Sequence, residues 1–541
     1  MKDISSTGSF IDFTLENYIY VDKTEYIPKL VKLKRVFISR PRRFGKSLTL
    51  DTIATLFETG VEPYFKGTWI YDKWTEPTYP VLRLNFLDLD KYSLEHFKQK
   101  LNAIISSFAR DINVKNYEEK VEPEDTIYFL LDELRKEKRQ IVILIDEYVC
   151  QLTSNINHDD LYKQFQQKIK RFYANIKDKF AIKFLGITGV TRLKDVSIFS
   201  VGSDINDITN ASAYSQMIGF TRDEIKKYYI DYLKLASSYE NNCSVGDVTD
   251  TQLESMLDMM AQNYDGYCFD EDYEKKVFST WSVNKFFQTM IEKKKVQFGE
   301  YWYDNGGLPS ILVNYLKTHE LNIFEYLDKD KFLKVSSDDF KNPTALTTIN
   351  QNVLMCQTGY LTLRSDLNKT STVALGIPNG EIYKALNRLL ANNIFKGNTD
   401  ITDDYGRSLL EVGTVDDIIN LFNSALNSVS YDNYPIVSES SVQNMLKLYL
   451  LGAHQEVLSE VHEAKGRADL VVNTDNRRIV FEFKYAKNEA EAKSKLSEAV
   501  EQIKIRDYGN ILPKKNELIR IAAVFNADPK VRAFTENQIV P

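Results

Sequence analysis

Residues 40–48 read Arg-Pro-Arg-Arg-Phe-Gly-Lys-Ser-Leu. A glycine, an ammonium and a hydroxyl in immediate succession are the groups that can cradle a nucleoside triphosphate. Backbone N–H groups at a helix start face the phosphates, Lys46 reaches the β- and γ-phosphates, and Ser47 ligates Mg²⁺. The usual pattern, G-x-x-x-x-G-K-[ST], has a glycine where Arg40 stands here. Residues 26–50 hold eight Lys or Arg and no acid, which favours a triphosphate electrostatically. Taken alone, the stretch also reads as a basic, solvated turn.

A second half-site decides between these readings. Ile141 to Ile145 are five consecutive aliphatic residues followed by Asp146 and Glu147. Such a run reads as a fully buried parallel strand, and ligands bind at the carboxyl ends of such strands. Asp146 can hold Mg²⁺ there and Glu147 can polarise an attacking water. A third strand, residues 181–189, ends at Thr188, which can sense the γ-phosphate, with Arg192 four residues on to read phosphate charge. The nucleotide set is therefore Arg42, Arg43, Phe44, Gly45, Lys46, Ser47, Leu48, Asp146, Thr188 and Arg192.

The C-terminal region offers a different chemistry. Asp469-Leu470-Val471-Val472 and Ile479 to Lys484 are strand-like and flank a polar turn, so they read as a hairpin. Side chains alternate along a strand, which puts Glu482 and Lys484 on one face and Phe481 and Phe483 on the other. Asp469 can meet Glu482 across the hairpin. Two adjacent carboxylates repel unless a cation lies between them, which points to Mg²⁺, and Lys484 can orient a water and stabilise phosphate charge. Glu-x-Lys alone is ordinary surface charge. Glu460, read on a helical stretch upstream, can add a carboxylate, and Gln502 and Tyr508 follow on a helix downstream.

The elements that must position these residues alternate. Residues 36–39 form a short strand before the loop, and residues 46–58 have helical apolar spacing after it. Residues 80–86 are strand-like, and residues 93–110 and 124–137 are helical. This predicts an α/β domain with a mostly parallel sheet. Residues 222–345 read as largely helical. Residues 397–408 and 429–441 read as linkers, and no internal repeat stands out.

The chain has 541 residues, 43% hydrophobic and 27% charged, with a net charge of −7. That is enough for roughly three to four domains. The acidic balance argues against a protein that coats nucleic acid non-specifically, while the mildly basic C-terminal region permits local phosphate contact. Four scattered cysteines and five histidines without an H-x-x-x-H pair suggest reduced thiols and oppose a zinc centre. No apolar run approaches membrane length, and the opening MKDISSTGSF has no secretory core, so a cytoplasmic location is expected.

Several motifs together resemble the bacterial AAA-ATPase-like family: Tyr20-Val21-Asp22-Lys23-Thr24, RPRRFGKSL at 40–48, IDEY at 145–148, Ile187 to Val190, Ser197 to Ser200, and Gly219-Phe220-Thr221. The family's variant loop carries Arg at position 40. The sequence departs from it at Val149 after IDEY and at residues 200–204. Asn263 to Tyr267 and Tyr301-Trp302 resemble the family's helical lid. Such proteins often end in a PD-(D/E)XK nuclease-type domain, onto whose motif Glu460, Asp469, Glu482, Lys484 and Gln502 map.

The resemblance implies a P-loop sheet domain at 1–221, a lid at 222–345, a linking α+β region at 346–430 and a restriction-endonuclease-like α/β domain at 431–541. It implies ATP and Mg²⁺ as cofactors and nucleic acid, DNA before RNA, as partner. The expected activity is ATP hydrolysis gating a Mg²⁺-dependent nuclease. A nucleotide switch whose C-terminal domain only binds is the alternative, and assembly into a homo-oligomer stays open.

Overall fold

The computed structural model describes residues 1–176, 180–193, 204–304, 310–316, 319, 323–343, 345–395, 405–453, 455–463, 466–510 and 517–541. The chain divides into two compact units, residues 1–321 with 330–382, and residues 322–329 with 383–541. The division falls inside helix Gly380–Ile394. The stretch 346–430, read as one linking region, is therefore shared between the two units.

The first unit is built on a parallel sheet of β1 (Arg35–Ser39), β2 (Val81–Asn85), β3 (Ile141–Asp146), β4 (Ile182–Gly189) and β5 (Asn206–Asp207), in the order β2-β3-β4-β1-β5. Every residue of β1 and β3 is buried, as a parallel sheet covered on both faces requires. Helix Lys46–Thr59 follows β1 directly and buries Leu50, Ile53, Leu56 and Phe57. Helices Leu94–Asp111 and Pro123–Lys136 match the expected spans; Ser93 caps the first and Pro123 opens the second.

Helices Arg222–Tyr228, Ile230–Asn241, Asp250–Tyr264 and Thr280–Lys293 bear out the helical reading of the next stretch. Capping boxes at Thr221/Glu224 and Thr249/Gln252 start two of them. Their buried faces form one core with Ile19 and Val21 of the N-terminal segment. Near its end the stretch departs from helix at Leu333–Ser336, before helix Ser337–Lys341. There β6 (Leu333–Ser336) joins β7 (Thr362–Leu363) and β8 (Thr372–Gly376) in an antiparallel sheet ordered β6-β8-β7. Leu-Lys-Val-Ser alternates buried and exposed, the period of a strand.

The second unit carries a mixed sheet ordered β13-β12-β11-β10-β9. Its strands are β9 (Glu456–Glu463), β10 (Gly466–Asn473), β11 (Arg477–Ala486), β12 (Glu517–Asn526) and β13 (Ala533–Ile539). The β10–β11 hairpin is antiparallel, as expected, and turns where Thr474 N–H donates to the Arg477 carbonyl at 2.9 Å. Strands β11 and β12 are parallel, joined through helix Glu489–Arg506, since parallel neighbours need a crossover. Helix Glu439–Gly452 precedes the sheet.

Two readings are corrected here. Glu460 belongs to strand β9, not to a helix, because Glu456–Glu463 pairs along β10. Residues 405–412, partly assigned to a linker, are helical as Tyr405–Val412; residues 397–404 lie outside the described residues. The motif residues Ser197 to Ser200 also lie outside them. All four cysteines are free. Among the described residues no helix is long and apolar enough to cross a membrane.

Candidate functional sites

The loop leaves β1 at Ser39 and enters helix Lys46–Thr59 through Gly45, whose φ of 101° is a left-handed conformation that favours glycine. A Cβ at Gly45 would touch nothing within 4 Å, so the requirement is torsional and not one of space. Lys46 is buried. Its ammonium donates to the carbonyls of Arg40 (3.1 Å) and Pro41 (3.2 Å) and lies 3.3 Å from Glu147 Oε1.

Strand β4 lies between β1 and β3, so Thr188, paired with Ile38, is beside Asp146. Asp146 accepts hydrogen bonds from Ser47 Oγ (2.5 Å), Thr188 Oγ1 and the Glu147 N–H (3.0 Å). Glu147 itself holds a left-handed φ of 52°, a strained conformation of the kind that collects at functional sites. The hydroxyl of Ser47 and the carboxylate of Asp146 are hard oxygen donors in contact, a set that fits Mg²⁺.

A cavity of about 580 Å³ opens over this cluster, lined by Lys46, Ser47 and Glu147 at one end and by apolar groups such as Ile19, Val21, Met217 and Phe220. Its size lies in the ordinary range of small-ligand sites. Tyr20, Val21, Lys23, Thr24 and Gly219-Phe220, quoted above only as motifs, contribute to its wall; Thr280, Trp281 and Asn284 went unnoticed in the sequence. These positions are far from the loop in sequence and carry no local pattern that announces them.

Three of the residues assigned to the nucleotide are otherwise engaged. The Arg43 guanidinium donates to the carbonyls of Tyr301 (3.1 Å) and Trp302 (3.4 Å) and lies 4.4 Å from the Trp281 ring centre, although it borders the cavity. Phe44 is buried against Tyr267, Phe269 and Trp302. Arg192 forms an ion pair with Asp207 and lines a separate small cavity of about 40 Å³ beside Arg40. Arg42, Gly45 and Leu48 line the main cavity, whereas Thr188 meets Asp146. Arg40 is buried, donates to the Ser39 and Thr209 carbonyls, and is pushed down to about 9 by burial. It occupies the usual glycine position as a structural pin.

The second cluster is on β10 and β11. Asp469 Oδ2 accepts from the Phe483 N–H at 2.8 Å, which fixes it beside Glu482. Lys484 Nζ donates to Glu482 Oε1 (2.8 Å), the Phe483 carbonyl (3.1 Å) and Glu439 Oε1 (3.2 Å). Glu482 is fully buried, and its Oε2 has no hydrogen-bond partner among the described residues. Burial first, and the Asp469 charge second, push its carboxyl up to about 7. Burial also raises Asp469. Burial works against the charge on Lys484, but Glu482, Glu439 and Asp469 outweigh it and raise its pKa. A buried carboxylate oxygen without a donor, beside a second carboxylate, suits a divalent cation.

Residues 5–199 match the family described as "Predicted AAA-ATPase", and residues 437–535 match the PD-(D/E)XK nuclease superfamily. The chain joins an AAA-ATPase-like domain to a PD-(D/E)XK nuclease-superfamily domain. A protein encoded in the vnfD 5′ region of Azotobacter chroococcum mcd 1 is 25% identical over 532 residues, covering 95% of this chain and 94% of that one. Among solved structures, the Walker-type ATPase of Pyrococcus abyssi matches 67% of this chain and 94% of its own, at 11% identity and a TM-score of 0.36. The Orc1 protein of Aeropyrum pernix, solved in complex with DNA, matches 69% of this chain and 95% of its own at 10% identity, with a TM-score of 0.26.

Within the nuclease-superfamily domain, Glu439 is the residue that the sequence reading missed. It opens helix Glu439–Gly452 behind the Ser438 cap, inside a stretch read as linker. Glu460 holds the register position between the Ser459–Leu470 and Val461–Ala468 pairs, next to Asp469. Its side chain lies outside the described residues. Gln502 is half-buried on helix Glu489–Arg506, and no hydrogen bond joins it to Asp469, Glu482 or Lys484 among the described residues. Arg506, bonded to Tyr508 Oη at 2.6 Å, also feels the charges of Glu482 and Asp469. Among the described residues no group of three or more His, Cys, Asp or Glu is disposed to hold a metal.

Proposed function

We propose that the chain hydrolyses ATP in its AAA-ATPase-like domain and cleaves phosphodiester bonds of nucleic acid, DNA before RNA, in its nuclease-superfamily domain, with the nucleotide state gating cleavage. The observation that carries the nuclease reading is the buried, unpartnered Glu482 Oε2 beside Asp469 and Lys484. Ser47 and Asp146 would hold one Mg²⁺; Asp469, Glu482 and Glu460 would hold another. Bound there, Mg²⁺ supplies Lewis-acid stabilisation of phosphate charge.

The chain's own groups do the rest. Lys46 exchanges the Arg40 and Pro41 carbonyls for phosphate oxygens. Glu147 orients the water that attacks the γ-phosphate and takes its proton. In the nuclease domain Lys484 holds the attacking water and donates to the phosphoryl oxygen as charge develops.

The test is incubation of the full chain with Mg²⁺ or Mn²⁺ and linear, circular or single-stranded DNA or RNA, with and without ATP. Cleavage should be lost in Lys484→Ala, and its dependence on ATP should be lost in Lys46→Ala. Absence of cleavage under every condition would overturn the nuclease reading. Wild-type cleavage by Lys46→Ala, with and without ATP, would overturn gating.

A further inference from the structure

The first unit carries a second large concavity, a groove of about 860 Å³ lined by the starts of strands and not by their ends. Arg35 opens β1, Gln140 immediately precedes β3, and Ile182 and Lys183 open β4; all three places line the groove. Lys46 and Ser47 follow the opposite end of β1, so this groove is separate from the nucleotide cavity, and none of its lining residues is shared with it.

The groove's composition is one-sided. Lys32, Lys34, Arg35, Lys73 and Lys183 line it, against one acid, Glu76. Lys32 and Lys34 carry no ion pair among the described residues. The other three are paired: buried Arg35 with Asp204 (2.9 Å), half-buried Lys183 with Glu76 (2.6 Å) and exposed Lys73 with Asp72 (2.7 Å). The exposed Lys73–Asp72 pair is weak and exchanges readily for a competing anion. Two aromatic side chains stand among the cations. Phe180 is 64% exposed, although burial is the rule for a residue of its type. The indole N–H of Trp74 is buried and has no acceptor among the described residues.

We propose that this groove binds a single strand of nucleic acid, its phosphates on Lys32, Lys34 and the neighbouring cations and its bases against Phe180 and Trp74. Cations that track a backbone, interleaved with aromatic faces on which any base can stack, are the elements of sequence-tolerant single-strand binding. An acidic peptide would use the cations and leave the aromatic faces idle. The proposal rests on the nucleic-acid reading above for its ligand class, and it places contact with that ligand on the ATPase-like side of the chain. The groove also touches the nucleotide machinery through packing. Trp74 meets Phe57 edge-on at 5.3 Å, and Phe57 is on the helix that begins at Lys46.

The test is fluorescence anisotropy of a labelled oligothymidylate titrated with the full chain in EDTA, where cleavage cannot contribute. Lys32→Glu/Lys34→Glu should weaken binding roughly ten-fold or more and flatten the slope of log affinity against log salt by about 1.4. Phe180→Ala should weaken binding several-fold and leave the salt slope unchanged, as lost stacking requires. A chain that shows no cleavage in the assay above yet binds through Lys32 and Lys34 would retain the groove and remove only the nuclease reading. Wild-type affinity in both the double charge reversal and Phe180→Ala, with ATP hydrolysis intact, would overturn the proposal. So would displacement of the strand by an equal concentration of oligoglutamate.

Discussion

Glu147 shows how much one position can reveal and conceal. Its place after an aliphatic run and an aspartate was legible, because strand burial and a terminal acid are local patterns. Its left-handed backbone has no local signal, and its 3.3 Å approach to Lys46 joins it to a loop remote in sequence. Glu147→Gln keeps the size and the hydrogen-bonding capacity but cannot accept the water's proton. ATP hydrolysis should fall by roughly 100-fold or more while ATP binding, followed by calorimetry, stays near wild type. The arginines mark the limit of reading residues singly. Arg43 and Arg192 both looked available to phosphate, yet each is engaged by groups remote in sequence: the Tyr301 and Trp302 carbonyls, and Asp207. A positive charge in a motif does not say which way it turns.

At the scale of elements, long periodic segments were legible and short ones were not. Helices Leu94–Asp111 and Pro123–Lys136 span four to five turns and three to four turns, enough for period and caps to agree. Strand β9 has eight residues whose pattern fits helix or strand equally, and its pairing with β10 decided the outcome. Glu381 adds a feature that periodicity cannot show. It lies at the start of helix Gly380–Ile394, is buried, and accepts from Ser282 Oγ (2.7 Å) and the Trp302 N–H (2.8 Å). Burial pushes its carboxyl up to about 8. The folded state therefore binds a proton that the unfolded chain releases above its ordinary value near 4.5. Stability from this group is present below that value and is lost as pH rises toward 8, by at most about 1.4 kcal/mol per pH unit. Glu381→Gln should remove this slope in denaturant melts between pH 5 and 8 and leave the variant the more stable form at pH 8.

For the whole molecule, the presence of two unlike domains was legible, but the extent of each unit was not. The nucleotide cavity takes walls from residues near positions 5, 20, 45, 147, 218 and 281, which no window along the chain could bring together. A ligand that binds such a surface stabilises every segment contributing to it. Mg²⁺ with ATP at 100 times its Kd should add about 2.7 kcal/mol to the stability of the first unit, seen as an upward calorimetric shift. Lys46→Ala should abolish the shift, and Asp469→Asn should leave it intact.

The tether on Arg43 bears on how such a sequence can drift. Its hydrogen bonds to residues 301 and 302 go to main-chain carbonyls, which no substitution there can delete. Its stacking partner is a side chain, Trp281. As far as this tether is concerned, descendants of this gene are therefore free to vary the side chains at 301 and 302, whose carbonyls accept from Arg43, while a change at 281 removes the ring that Arg43 stacks on.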